Sequence, residues 1–200
     1  IYTIYYQLLS IRINLTMTRH LITAALLTAA GMAQGAVPAW TDPEVNEINR
    51  LPMHASFFAY RAGEQGDKTL SANYLPLDGT WRFHFSPDRT GRPGDEVAAT
   101  GYDDSSWGFI QVPGMWELSG YGEPMYLNVG YPWRGNFANN PPVTPDKENA
   151  VGTYRRHITV PADWKGKDII AHFGSATSNL TVWVNGRKVG YGEDSKLAQE

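Results

Sequence analysis

The sequence predicts an all-β protein, and three observations carry that expectation. Seven Trp and eleven Tyr stand beside twenty Gly and thirteen Pro, a mixture that suits short strands joined by many turns. Several short runs alternate apolar and polar residues with the period of two that a half-buried strand requires. No long amphipathic helical pattern separates those runs, which favours a β-sandwich of the jelly-roll kind over alternating strands and helices.

The elements follow in order. After Trp40, the run Thr41-Asp42-Pro43-Glu44 places a capping side chain before a proline and an acid, predicting a helical turn or two through Ile48. Asp78-Gly79 marks a turn. Beyond it Trp81, Phe83 and Phe85 alternate with Arg82 and His84, so the aromatic side of that strand should face the core. Phe109 to Val112 reads as a short strand stopped by Pro113, and Tyr154 to Val160 as a longer one with alternating polarity. Ile169 to Phe173 is apolar enough for a buried strand. Leu180, Val182 and Val184 alternate with Thr181 and Trp183 and run into Asn185-Gly186. Both positions of that pair tolerate the positive φ of a two-residue hairpin, making Arg187 to Tyr191 the returning strand.

Between these strands lies a Pro/Gly/Asn-rich stretch, roughly 114 to 152. It exceeds the ~12–15 residues usual for an unstructured connection, and its Trp, Tyr and Phe content predicts an ordered binding or docking segment. Trp133 within it suits either a ring-stacking platform for a ligand or a docking contact. Trp81, Trp107, Trp116 and Trp183 sit in strand patterns and are expected in the core. Gly120-Tyr121-Gly122 and Gly190-Tyr191-Gly192 lack the lysine and the strand-loop-helix context of a phosphate-binding loop and read as turns.

Composition narrows the function. Two hundred residues, 42% hydrophobic and 18% charged, suffice for one buried domain and a tail. A net charge of -3 without any run of Lys or Arg offers no field for nucleic acid. The absence of cysteine excludes disulfides, thiol catalysis and Cys-ligated zinc. The five histidines show no metal-ligand spacing.

The chain's start reads as an address. From Met17 a basic Thr-Arg-His precedes an apolar run from Leu21 to Met32 and a small-residue site at Ala33-Gln34-Gly35, the three parts of a secretory signal peptide over residues 17–35. The apolar run is shorter than the ~20 residues of a membrane anchor. Residues 1–16 precede that methionine without clear patterning and are expected to be upstream read-through without function. The mature part is then 36–200, exported by a bacterium to the periplasm or the medium.

Several segments, taken in order, resemble the sugar-binding domain of family 2 glycoside hydrolases. They are Asp42-Pro43-Glu44-Val45 through Asn49-Arg50-Leu51-Pro52, Leu77-Asp78-Gly79-Thr80-Trp81-Arg82-Phe83, and Tyr102-Asp103-Asp104-Ser105-Ser106-Trp107 with Val112-Pro113 and Trp116. Tyr126-Leu127-Asn128-Val129-Gly130-Tyr131-Pro132, Gly152-Thr153-Tyr154-Arg155, and Val184-Asn185-Gly186-Arg187-Lys188-Val189-Gly190-Tyr191 with Glu193-Asp194-Ser195 complete the match. The Asp42 and Asn128 segments point to the β-galactosidase branch.

The resemblance implies a jelly-roll sandwich whose closing strands lie beyond Glu200, followed by immunoglobulin-like domains and a (β/α)₈ barrel bearing the two catalytic carboxylates. This stretch would then hold no catalytic residue. Asn128 and Asp194 would reach the barrel's pocket and contact a β-galactoside, with Asp194 also touching sodium. For the whole protein the resemblance implies sodium and magnesium as ions and a homo-oligomer as its assembly. On the residues alone, Asn128 is a turn or capping residue and Asp194 a loop-end carboxylate. The adjacent pairs Asp103-Asp104 and Glu193-Asp194 would point to opposite faces of a strand, so neither suits acid/base work. A free-standing carbohydrate-binding module is the alternative reading.

Overall fold

A computed structural model describes the backbone of residues 6–14 and the full chain over residues 38–124 and 144–200. Among these residues seven strands form one sheet: β1 (Tyr6–Asn14), β2 (Glu47–Ile48), β3 (Gly79–Ser86), β4 (Gly108–Val112), β5 (Val151–Thr159), β6 (Leu180–Val184) and β7 (Arg187–Gly192). Their order is β2-β7-β6-β1-β5-β3-β4. The helical pieces among them are single 3-10 turns, so the architecture is all-β, as the composition predicts.

Two antiparallel trios, β2-β7-β6 and β5-β3-β4, share the core. Trp81, Phe83, Ile110, Trp116 and Tyr154 from one side meet Ala176, Leu180 and Val182 from the other, with Phe85, Val184 and Val189 packed around them. The period-two pattern of β3 explains the first half. Trp81 and Phe83 are buried, and the Phe83 ring sits 4.7 Å from both Tyr121 and Tyr154. Trp107 and Trp183 are buried as well.

The β6–β7 hairpin forms on the predicted pair. Asn185 and Gly186 have φ of 50° and 83°, and Val184 faces Arg187 across the turn. A register shift between Val182 and Trp183 marks a bulge on the returning strand. Gly120 and Gly122, with φ of 87° and 69°, make the turn expected of that pair. Gly190-Tyr191-Gly192 corrects the turn reading, since all three residues lie in β7. The hairpin register, once set at Asn185, carries the ladder to Gly192.

Two further expectations are corrected. The helical turn through Ile48 does not form. A 3-10 turn ends at Thr41, Asp42 caps the amide of Glu44 at 3.0 Å, and Glu47–Ile48 extends to pair with Gly192 and Tyr191. A strand edge with unpaired backbone groups wins over a weak local helix signal. Ile169 to Phe173 is no strand: Ile169 and Ile170 are exposed, and only Phe173 bridges, to Gln199. Apolar content sets a preference for a partner without supplying one. Residues 6–14, within the segment expected to be read-through, form β1, which runs parallel to β5 on one side and β6 on the other. Its Tyr- and Ile-containing run YQLLSIRIN is strand-compatible and satisfies backbone groups on both flanks.

Candidate functional site

The segment from Glu193 to Glu200 follows β7 and is pinned along its length. The Glu193 amide donates to the Asn46 carbonyl at 3.1 Å, the Lys196 amide to Ala176 at 2.7 Å, and Gln199 exchanges backbone hydrogen bonds with Phe173 at 2.8 and 2.9 Å. Ser195 Oγ accepts from the Ser178 amide at 3.2 Å. Gln199 is buried and its Nε2 donates to the Asp194 carbonyl at 3.2 Å. The backbone beneath Asp194 is therefore fixed on both sides.

Asp194 itself is 45% exposed, and its Oδ2 accepts from Arg50 Nη1. Arg50 is only 10% exposed, and its Nη2 lies 2.5 Å from Glu47 Oε2. One largely buried guanidinium thus ties β2 to the loop after β7. Oδ1 of Asp194 has no protein partner among the described residues. An ionised carboxylate accepts several hydrogen bonds, so this oxygen is available to a hydroxyl donor arriving from solvent.

A second knot closes the same region. Glu200 accepts from His54 Nε2 at 2.9 Å and from His172 Nδ1 at 2.6 Å, while its carbonyl accepts from the Leu51 amide at 2.9 Å. Hydrogen bonds to the Ala55 carbonyl and to Glu200 hold the His54 pKa above its ordinary value of 6.5. Burial alone would raise Glu200, but the hydrogen bonds from His172 and His54 outweigh it and leave the carboxyl below its usual range.

The other singled-out carboxylates have structural partners. Asp103 lies outside any strand and caps the Ser105 amide at 3.0 Å. Asp104 binds Arg155 Nε at 2.9 Å, and Glu193 accepts from the Tyr191 hydroxyl at 2.5 Å. Both adjacent pairs sit in loops, so the opposite-faces argument does not apply. Their separate partners instead keep the members of each pair apart. Asn128 and Trp133 lie outside the described residues.

Residues 75–200 match the model of the glycosyl hydrolases family 2 sugar binding domain. The chain belongs to glycoside hydrolase family 2. Curated relatives of this family 2 chain include a protein named Beta-galactosidase from Priestia megaterium, 38% identical over 162 residues, covering 79% of this chain and 16% of the relative. One of the same name from Lactobacillus delbrueckii subsp. bulgaricus is 37% identical over 163 residues, covering 81% and 16%. The Beta-galactosidase large subunit of Leuconostoc lactis is 36% identical over 171 residues, covering 80% and 27%. The chain therefore spans about a sixth to a quarter of the length of these relatives.

Sequence reasoning on this family 2 chain named Asp194 but missed Arg50, Glu47 and the His54–Glu200–His172 knot. Arg50 stood inside a quoted motif, yet no local pattern says that an arginine will meet a carboxylate 144 positions away. Among the described residues, Asp194 would offer a sodium ion one carboxylate oxygen, and the remaining oxygen ligands would have to come from elsewhere. A hard cation needs a set of oxygen ligands, whereas the Asp194 Oδ2 is held by a guanidinium. No group of three or more His, Asp or Glu side chains gathers among the described residues.

Proposed function

We propose that this chain is the sugar-positioning portion of an exported bacterial β-galactosidase that releases terminal β-D-galactose from β-galactosides. The observation that carries the reading is the relatives' shared name together with their alignment over about four fifths of this chain. In this reading strands β2 to β7 belong to a jelly roll, and the mature part begins after a signal peptide at 17–35, whose removal would also take β1 and leave the β5 and β6 edges to another strand. Asn128 and Asp194 lend an amide and a carboxylate to a pocket built by a (β/α)₈ barrel elsewhere in the protein. The acid and nucleophile sit in that barrel, ~5–5.5 Å apart as retention requires. No step passes through a metal ion at Asp194.

The chemistry at Asp194 supports this division of labour. Its outer oxygen can accept a sugar hydroxyl in a direction fixed by the loop beneath it, and a hydrogen bond that tightens in the transition state raises turnover as well as affinity. Asp194→Ala in the complete gene product should lower kcat/KM on an aryl β-galactoside by about 100-fold or more. Unchanged kinetics would overturn the assignment. Calorimetry of residues 36–200 with galactose separates the alternative. A self-sufficient site with micromolar affinity would indicate a free-standing binding module, whereas two contacts at the rim of another domain's pocket give no measurable heat.

A further inference from the structure

We propose that Arg50 is the positioning residue that orients Asp194 toward the sugar, an inference that rests on reading Asp194 as a substrate contact. The relevant unit is a strap, residues 46–54, laid along the open edge of β7. It is held by the pairing of Glu47 and Ile48 with Gly192 and Tyr191 and by Asn49 Nδ2 on the Val189 carbonyl at 2.6 Å. Asn49 takes a φ of 52°, which turns the chain so that Arg50 swings back under the loop. The Leu51 amide then closes the strap on the Glu200 carbonyl at 2.9 Å.

The arginine's setting differs from that of a surface ion pair. At 10% exposure it lies between two carboxylates that are each nearly half exposed, Glu47 at 47% and Asp194 at 45%. Its Nε is buried and has no hydrogen-bond partner. Local stability alone would favour a buried guanidinium with every N–H paired, since an unmade hydrogen bond at a buried charge is unfavourable. The arrangement is instead optimised for the outward end of the fork.

The geometry at Asp194 shows what the fork achieves. Arg50 engages Oδ2 alone, which restrains the carboxylate from one side and leaves Oδ1 without a protein partner among the described residues. A guanidinium does this better than an ammonium, because its planar donors define a direction as well as a charge. Glu47, three residues earlier, holds the second arm, so the fork cannot rotate away from Asp194. Without Arg50, Asp194 would keep its charge but lose its preferred rotamer, and orientation errors of this kind are felt chiefly in turnover.

The test is a double-mutant cycle in the complete gene product, assayed on an aryl β-galactoside. Arg50→Ala should lower kcat/KM by about 100-fold with most of the loss in kcat, and Arg50→Lys should recover about a tenth of the wild-type value. In the Asp194→Ala background, Arg50→Ala should produce no further loss, because Arg50 acts only through that carboxylate. Full activity in Arg50→Lys and Arg50→Ala alongside an inactive Asp194→Ala overturns the role of Arg50 and leaves the Asp194 reading standing. Full activity in Asp194→Ala removes the reading beneath it. Additive losses, or a deficit in Arg50→Ala that Arg50→Lys does not relieve at all, would show that Arg50 supports the fold and does not orient the carboxylate.

Discussion

His54 Nε2 lies 2.9 Å from Glu200 Oε2, a contact between residues 146 apart in the chain. With His172 on the other oxygen, the carboxylate joins the strap to the segment before β6. The strength of this knot depends on two titrations of opposite sign.

The folded pKa of His54 is raised above 6.5, so its contribution is complete below that value and is lost as pH rises through the folded pKa. The folded pKa of Glu200 is lowered from 4.5, so its contribution is complete above that value and is lost as pH falls through the folded pKa. The knot is therefore tightest between pH 4.5 and 6.5. Thermal unfolding should show His54→Gln lowering Tm at about pH 5.5, with the difference from wild type shrinking by about pH 8. A difference that stays constant across that range would contradict the assignment.

Two glycines should respond to alanine for different reasons. At Gly186 an added Cβ meets only ordinary contacts, Ala98 O at 3.6 Å and Ala99 Cα at 3.9 Å, so the penalty is the left-handed backbone, about 1–2 kcal/mol. At Gly152 the Cβ would press on the Trp116 ring, with Cε3 at 2.7 Å, and on Phe83 Cε2 at 3.0 Å. Overpacking there should cost about 1–3 kcal/mol. Urea unfolding measures both, and an Asn in place of Gly186, which tolerates positive φ, should recover part of the first loss and would recover none of the second.

Asp104→Ala should destabilise by about 2–3 kcal/mol. It strands Arg155, which is 4% exposed and whose strongest contact is the 2.9 Å bond to that carboxylate; the two remaining bonds, to the Ala99 carbonyl, are long at 3.4 Å. Asp104→Asn, which keeps an acceptor, should lose less in the same unfolding measurement.

What could be read in advance follows the range of the interactions. The aromatic face of β3 and the Asn185-Gly186 hairpin depend on neighbours within a few positions, and both stand where the pattern put them. The helix expected through Ile48 failed because its competitor, the edge of β7, is contributed by residues some 140 positions later. Ile169 to Phe173 failed for the converse reason, an apolar run that the sheet order leaves without a partner strand. At the candidate site the motif singled out Asp194, but its partner Arg50 could not be read in advance, because the two loops meet only in the assembled sheet.

That separation has a temporal side. Arg50 and Asp194 are 144 residues apart, so at synthesis rates of ~5–20 residues per second the arginine exists for about 7–30 seconds before its carboxylate is made. Throughout that interval Glu47, three residues earlier, is already present to pair with it, while the β7 edge that receives the strap is not yet made. Contacts of such long range close late, so the corner that joins Arg50 to Asp194 takes shape after the local turns and hairpins of the sheet.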